Sequence, residues 1–230
     1  MADKRILKIS YTANVKDGEI YDTTDEKKAR EKGIYNEKRI YSPLTVILGE
    51  NQVIEGLDKA LEDMKKGEEK KVTISPEKAY GVRDSNLVRL VSLGEFKKKN
   101  ITPIPGMPVE LDGQHARIQT VSGGRVRVDF NHELAGKTVV FDVKVEDEAK
   151  TKKKKIDYII ERSFNSTEDF KVETIKDDVR IELPEKVYKD KNLLIRKASL
   201  SAELFKYLGV GDVVYTETWS NPQKTKEGGS

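Results

Sequence analysis

One short amphipathic helix set between short strands constrains the fold of this chain more than any other feature of its sequence. Four apolar residues recur at helical spacing on one side, and charged residues take the other side. These apolar residues are Ile54, Leu57, Leu61 and Met64. Strand-like runs at residues 44–48 and 71–75 flank the helix, and Gly49, Gly67 and Pro76 end the three elements. The pattern predicts an α+β fold.

The N-terminal residues predict a β-hairpin. Residues 6–11 alternate in character, Asp17-Gly18 supplies a turn, and Ile20-Tyr21 begins the returning strand. Residues 24–39 are polar and charged, which predicts an excursion on the surface.

The strand pattern is interrupted and then resumes. Residues 84–128 differ in character, with repeated prolines and a second predicted hairpin around Ser122-Gly123-Gly124. A long strand at residues 138–145 continues the first pattern. We therefore predict a domain built from residues 1–83 and 129–148 that is interrupted by a small β-rich insert.

The remaining residues predict a separate α+β domain at 156–230. Lysines 150 and 152–155 indicate a solvated linker over residues 149–155. The expected elements are strands at residues 156–160, 179–183, 193–200 and 213–219, a short helix capped by Ser201 and ended by Gly209, and a disordered polar end at residues 221–230.

Composition indicates a cytoplasmic protein that does not bind nucleic acid or membranes. The chain has no cysteine, its N-terminus lacks an apolar signal segment, and no apolar run is long enough for a membrane span. The net charge of +3 comes from the lysine run, since residues 1–148 are neutral. A linker is favoured over a nucleic-acid contact because that run is short and lies between folded segments.

The motifs of hydrolytic, metal and nucleotide chemistry are missing. His115 and His132 lie in different segments, and the sequence contains no GxSxG, P-loop or strand-associated GxGxxG motif. We therefore expect no metal and no cofactor. Four aromatic residues, Tyr11, Tyr21, Tyr80 and Phe141, fall in predicted strands and a turn, and periodicity alone favours ordinary core roles for them.

Local motifs supply a family resemblance. Tyr11-Thr12, Asp17-Gly18 and Tyr21-Asp22-Thr23-Thr24 occur in the order and spacing of FKBP-type peptidyl-prolyl cis/trans isomerases. The resemblance continues in Leu48-Gly49, Val53-Ile54-Glu55-Gly56-Leu57, Met64-Lys65-Lys66-Gly67-Glu68, Thr73 to Gly81 and Asn131 to Gly136. The last of these resembles the SlyD-like branch, in which an "insert in flap" domain replaces a loop, and the tail resembles the long archaeal variety.

The resemblance implies an antiparallel sheet wrapped around a short helix, with residues 84–128 as the insert. It implies an isomerase with chaperone activity that acts on X-Pro bonds of unfolded or partly folded polypeptides. It also implies a homodimer formed through the C-terminal domain. Two other interpretations remain open: a non-catalytic polypeptide-binding module that retains the fold, and a weaker RNA or ribosome role for the lysine run.

The resemblance also implies a site. Asp22, Tyr80 and Phe141 are the expected catalytic residues: Tyr80 donates its hydroxyl to a substrate carbonyl, and Asp22 acts electrostatically or holds Tyr11. His132 closes one side of the pocket. The other implied substrate contacts are Tyr11, Tyr21, Leu44, Val46, Val53, Ile54, Leu57 and Leu134. Leu44 and Leu57 replace aromatic residues of single-domain members, and Val46 is equally well explained as core.

The insert carries many apolar residues for its size. These are Leu93, Phe96, Ile101, Ile104, Met107 and Ile118. A unit this small struggles to bury its own core, so exposed apolar residues, Phe96 and Met107 among them, are expected to bind clients. The alternative is that all six fill the core of the insert, which is the preferred interpretation for Ile118.

Overall fold

The computed structural model of the protein describes residues 4–220, so the polar end predicted at residues 221–230 lies outside the described residues. Its strands are β1 (Ile6–Val15), β2 (Ile20–Thr23), β3 (Leu44–Ile47), β4 (Glu69–Ile74), β5 (Val88–Ser92), β6 (Pro108–Leu111), β7 (Gln114–Ser122), β8 (Arg125–Asp129), β9 (Val139–Glu148), β10 (Lys171–Ile175), β11 (Asp178–Glu182) and β12 (Val213–Thr216). Its α-helices are α1 (Glu26–Glu31), α2 (Glu55–Glu62), α3 (Leu93–Lys98), α4 (Lys152–Phe164) and α5 (Leu193–Leu208). Within residues 4–220, none of the helices has the length and apolar character that a membrane crossing requires.

An antiparallel sheet of five strands wraps around α2, which confirms the predicted α+β fold. β9 pairs with β1 on one side and β4 on the other, while β2 and β3 pair with different halves of β1. Phe141, Val143 and Val145 of β9 are buried in one cluster with the apolar face of α2, and Asp142, between Phe141 and Val143, is exposed. The inward-facing alternate residues of the strands and the apolar face of the helix therefore pack in one core.

Residues 88–129 form a second, four-stranded sheet in the order β5-β8-β7-β6. The predicted hairpin is present as β7 and β8. Helix α3 packs across this sheet, and Phe96 at its centre has no exposed surface. The expectation that Phe96 contacts clients is therefore wrong for this structure, because its ring fills the core of the insert together with Ile118. Met107 is half-buried against the same core.

The C-terminal residues combine α4 and α5 with the three-stranded sheet β10-β11-β12. The prediction that the lysine run is a linker is wrong, because residues 152–155 are the first turn of α4. The Thr151 hydroxyl caps this turn by accepting the Lys154 N–H at 3.2 Å. Ile156, Ile159 and Ile160 are completely buried at the i, i+3 and i+4 positions of the same helix.

Two of the four strands predicted in the tail are wrong, and two are confirmed. Residues 156–160 belong to α4 and residues 193–200 to α5, so Ser201 lies inside a helix and caps nothing. Short apolar runs do not distinguish a strand from a buried helix, and here the helical periodicity extends beyond the window that predicted strands. β11 confirms the strand expected at residues 179–183, and β12 confirms the one expected at residues 213–219 over its first four residues.

The C-terminal core is continuous with the five-stranded sheet. Ile6 of β1, Ile47 of β3 and Ala149 pack into the cluster formed by α4, α5 and β11. Each of the three is at most 2% exposed. The burial of these side chains means that the C-terminal helices cover one face of β1 and β3.

Asp147 is the polar centre of this junction. It pairs with Lys66 at 2.8 Å and Lys154 at 2.5 Å, and the Tyr158 hydroxyl donates to it. Burial opposes ionisation of Asp147, but these three contacts outweigh it and hold the pKa of the carboxyl well below its usual range.

We predict that Gly56→Ala destabilises the fold. A Cβ at Gly56 would lie 2.4 Å from Cγ2 of Ile74, which is 3% exposed and cannot move aside. Overpacking of about 1–3 kcal/mol should exceed the helix-propensity gain of about 1 kcal/mol, measured as a lower free energy of unfolding in denaturant. Gly94→Ala on α3, whose Cβ would meet only Ser92 Oγ at 3.4 Å, is the control. Equal effects of the two substitutions would contradict the packing argument.

We predict that Asp147→Asn removes stability that the wild type has at neutral pH and loses in acid. A depressed carboxyl pKa stabilises the fold fully above the unfolded-state value of about 3.9, and the contribution is lost as pH falls through the lower folded value. The difference in unfolding free energy between wild type and Asp147→Asn should therefore shrink from pH 7 toward about pH 2. A difference that stays constant between pH 7 and about pH 2 would contradict the role assigned to the Asp147 carboxylate.

Candidate active site

An aromatic cluster lies where β1, β2 and β9 converge with the turn that follows β4. The centroid of the Phe141 ring lies 5.6 Å from that of Tyr11 and 6.4 Å from that of Tyr21, and Tyr21 lies 6.1 Å from Tyr80. Tyr21 meets both Phe141 and Tyr80 edge to face. The structure thus brings together four side chains that sequence periodicity could not distinguish from ordinary core.

Tyr80 is placed by a tight turn. Pro76–Lys78 forms a 3-10 turn after β4, and the Gly81 N–H donates to the Pro76 carbonyl at 2.7 Å. Gly81 has φ 83°, a left-handed conformation that favours glycine. The residue after Tyr80 therefore turns the chain back, and its carbonyl accepts the Gly136 N–H at 2.8 Å.

The Tyr80 side chain lies between Tyr21 and His132. Its hydroxyl donates to the Tyr21 hydroxyl at 3.3 Å. Its ring stacks on the imidazole of His132, with centroids 4.7 Å apart and planes 3° from parallel. His132 Nδ1 accepts the Leu134 N–H at 3.1 Å, which fixes the orientation of the imidazole. Burial, followed by the Tyr80 hydrogen bond, raises the pKa of Tyr21 far above its ordinary value.

Asp22 holds the other edge of the cluster. The Tyr11 hydroxyl donates to Asp22 Oδ2 at 2.7 Å, and Arg39 pairs with Asp22 Oδ1. Arg39 Nη2 also reaches the Tyr11 hydroxyl at 3.4 Å. Burial and the contact with Asp22 raise the pKa of Tyr11, so its hydroxyl stays protonated and can donate.

Sequence reasoning missed Arg39. It lies in the stretch interpreted as a charged surface excursion, which in the structure contains α1 and returns to the sheet at β3. An arginine among other charged residues carries no signal of periodicity, so only its position beside Asp22 distinguishes it.

The apolar floor under the aromatic residues comes from β3 and α2. Leu57 is 1% exposed and Val46 is completely buried, and Val53 and Ile54 are half-buried against the same core. Val46 presents no surface here, which matches its alternative interpretation as core. Leu134 is half-buried beside the turn that carries His132.

Three expected substrate contacts lie apart from this cluster. Phe96 and Met107 pack inside the insert. Leu44, at the start of β3, is 38% exposed and lines a separate cleft together with Arg39 and Arg162.

A larger cleft of about 970 Å³ lies between the insert and the segments that connect it to the main sheet. His132 and Asn131 line it on the side of the aromatic cluster, and Pro108, Ala116 and Ile118 line it on the side of the insert. Because His132 stacks on Tyr80, this cleft begins at the edge of the aromatic cluster.

The chain is similar in sequence to proteins of known type. The short-type peptidyl-prolyl cis-trans isomerase of Methanocaldococcus jannaschii is 42% identical over 141 residues, which is 61% of this chain and 89% of the relative. The family model "FKBP-type peptidyl-prolyl cis-trans isomerase" matches residues 1–92. The chain belongs to the FKBP-type peptidyl-prolyl cis-trans isomerases. The family resemblance stated from the sequence is thereby confirmed.

Other matches place this FKBP-type chain among multi-segment members. The SlyD proteins of Helicobacter pylori and Aeromonas hydrophila are 42% and 32% identical over 108 and 149 residues. The matched regions cover 45% and 64% of this chain, and 57% and 64% of those proteins. Models of the FKBP26 IF domain and the FKBP26 C-terminal region match residues 89–134 and 152–220. A solved structure of three FKBP domains of wheat FKBP73 aligns at TM-score 0.32 and 21% identity, covering 64% of this chain and 39% of that one, too low a similarity to add to the assignment.

Proposed function

We propose that the chain accelerates cis/trans isomerisation of X-Pro bonds in unfolded or partly folded polypeptides, with the aromatic cluster over Leu57 as the proline pocket. The supporting observation is the convergence of Tyr21, Tyr80 and Phe141 on one buried floor. An edge-to-face arrangement of rings above aliphatic side chains suits a compact apolar ring such as proline.

The chemistry needs no nucleophile. Rotation about a peptide bond must overcome a resonance barrier of about 18–20 kcal/mol. The twisted amide has less charge separation than the planar one, so an apolar site that excludes water favours the twisted state. The buried floor of Leu57, Phe141 and the half-buried Ile54 supplies such surroundings.

The polar groups at the rim have separate roles in this proposal. Tyr80 donates its hydroxyl to a substrate carbonyl in place of Tyr21, which is its partner in the free protein. Asp22, paired with Arg39 and Tyr11, keeps the Tyr11 ring against Phe141 and places a carboxylate near the rotating bond. A single neutral hydrogen bond of this kind contributes about 1 kcal/mol.

We predict that Tyr80→Phe lowers kcat/KM on a proline-containing tetrapeptide about fivefold, because one hydrogen bond of about 1 kcal/mol is lost from the transition state. A protease-coupled isomerisation assay measures it. Tyr215→Phe removes a hydroxyl that is bonded to Ser201 and the Lys197 carbonyl, and should leave turnover unchanged. Full activity of Tyr80→Phe would contradict the donor role. No acceleration by the wild type would favour the alternative, a non-catalytic polypeptide-binding chaperone module.

We also propose that the insert, taken as residues 84–128, binds unfolded chain and presents it to the pocket. The cleft beside His132 gives a path between the two regions. The insert exposes Leu90 and Ile104, which are 64% and 60% accessible, in place of the buried Phe96. Binding there would raise the local concentration of proline at the pocket.

We predict that the pair Leu90→Ser and Ile104→Ser slows the catalysed refolding of a proline-limited protein several-fold and leaves tetrapeptide turnover unchanged. Removing exposed apolar surface weakens client binding without touching the pocket. Ile175→Ser, at a residue that is 49% exposed on β10, is the matched control. Equal losses on both substrates would contradict this division of labour.

Dimerisation and cellular location stay predictions. Leu194 and Ile195 of α5 are 77% and 68% exposed, which supports a partner surface on the C-terminal segment. A nucleic-acid role for the lysine run receives no support from the geometry, since Lys154 pairs with Asp147 and Lys155 Nζ donates to the Lys4 carbonyl at 2.8 Å. A cytoplasmic location agrees with a chain that carries no cysteine.

A further inference from the structure

The loop between β3 and α2 links the proposed pocket to the C-terminal helices. It runs from Ile47 to Val53, and Gly49 and Asn51 adopt left-handed conformations with φ 76° and 52°. Two side chains hold its backbone: Gln52 Oε1 accepts the Ile47 N–H at 2.9 Å, and the Asp58 carboxylate accepts the Gly49 N–H at 3.0 Å. The position of this loop sets where Val53 and Ile54 enter the pocket core.

Glu50, at the tip of this loop, is held from two directions. Lys4 Nζ lies 3.0 Å from Glu50 Oε1, and Lys206 Nζ lies 2.5 Å from Glu50 Oε2. The Glu50 side chain is 13% exposed although it carries a charge. Hydrogen bonds from Lys206 and Lys4 lower its pKa, so it is ionised at neutral pH.

Lys206 belongs to α5, which lies 156 residues away in sequence. Lys4 is itself held by the C-terminal segment, because its carbonyl accepts from Lys155 of α4. Both cations that contact Glu50 are therefore positioned by the C-terminal helices.

The same helices support the strand that leads into the loop. Val46 faces the pocket core and Ile47, on the opposite face of β3, packs in the C-terminal core. One side of this strand thus contributes to the pocket and the other to the packing of α4 and α5. Cores are closely packed, so a shift of the helices would be passed to β3.

We propose that the C-terminal segment positions the isomerase pocket, with Lys206 acting through Glu50 as a positioning residue for Val53 and Ile54. The inference rests on the proposed pocket. Lys206 does not touch substrate in this proposal: it fixes the loop that carries two walls of the site. Its removal should weaken substrate binding more than the chemical step, which predicts a change in KM rather than in kcat.

The first test is the kinetics of Lys206→Met in the full-length protein. An exposed ion pair is worth at most about 1 kcal/mol, so KM for the tetrapeptide should rise about two- to fivefold with kcat nearly unchanged. Lys206→Arg, which keeps the charge, should restore KM. Lys197→Met, on the same helix, breaks a 2.6 Å pair with Glu217 away from the loop and should leave KM at the wild-type value.

The second test is a double-mutant cycle with Glu50→Gln. If Lys206 acts through Glu50, the double variant should have the KM of Glu50→Gln alone, which also loses the contact with Lys4, whereas independent effects would multiply. A multiplied effect, a wild-type KM in Lys206→Met, or an equal change in Lys197→Met would overturn the proposal.

The third readout does not depend on activity. Amide hydrogen exchange of residues 49–54 should become about two- to fivefold faster in Lys206→Met, as expected for the loss of a pair worth up to about 1 kcal/mol, while exchange in β9 stays the same. Unchanged exchange in the loop would overturn the positioning role. If the wild type fails to accelerate proline isomerisation, the proposed function fails, and exchange alone still decides whether Lys206 holds the loop.

Discussion

The pairing of β1 with β9 is the constraint on which the rest of the molecule depends. The two strands run antiparallel from Leu7 opposite Glu148 to Val15 opposite Val139, across the full length of both. The pairing joins residues more than 120 positions apart. Because β4, which precedes the insert, also pairs with β9, which follows it, the insert leaves and returns beside the same strand. It also sets Tyr11 beside Phe141 on one face and presents Ile6 to the C-terminal helices on the other.

The insert and the C-terminal segment are attached to this sheet by different kinds of interaction. At the base of the insert, Asn131 donates to the Asp84 carbonyl and accepts the Asp84 N–H, at 2.9 and 2.8 Å. Arg83 pairs with Asp129 at the same place. The C-terminal segment instead shares an apolar core with β1 and β3. Water can replace the polar contacts at the base of the insert, whereas movement of the C-terminal helices would expose the shared apolar core. We therefore expect the insert to move more easily relative to the sheet than the C-terminal helices do.

Much of the fold follows from short-range pattern, and the exceptions have physical reasons. The N-terminal hairpin, α2, β3, β4 and β9 were predictable because each shows its own period and a glycine or proline at its end. Helix α4 was not predictable, because residues 156–160, a largely apolar run after the lysines, fit a strand as well as a helix. Burial of Phe96 was not predictable either, since no local rule states which apolar residues of a small unit are covered.

The residues of the candidate site also divide into those that the sequence predicted and those that it did not. Tyr21, Tyr80, Asp22 and Phe141 came from family motifs, whereas Arg39 and Lys206 depend on contacts between distant segments. Arg39 approaches Asp22 only because the chain returns through β3, and Lys206 approaches Glu50 because α5 packs on α4, which lies against β3. Sequence motifs therefore identify the groups that are proposed to face substrate, and long-range packing identifies the charged residues that hold their surroundings.

The charges around the pocket are consistent with a mechanism that uses no titrating group. Tyr11 and Tyr21 have raised pKa values because they are buried, so both hydroxyls remain protonated across the physiological range. Asp22 is matched by Arg39, which limits its field to the rim of the cluster. An uncharged interior with a single paired carboxylate at its edge suits the rotation of a neutral amide, because the twisted state differs from the planar one by a loss of charge separation. In the proposed mechanism the preorganised surroundings, and not a proton transfer, carry the catalytic effect.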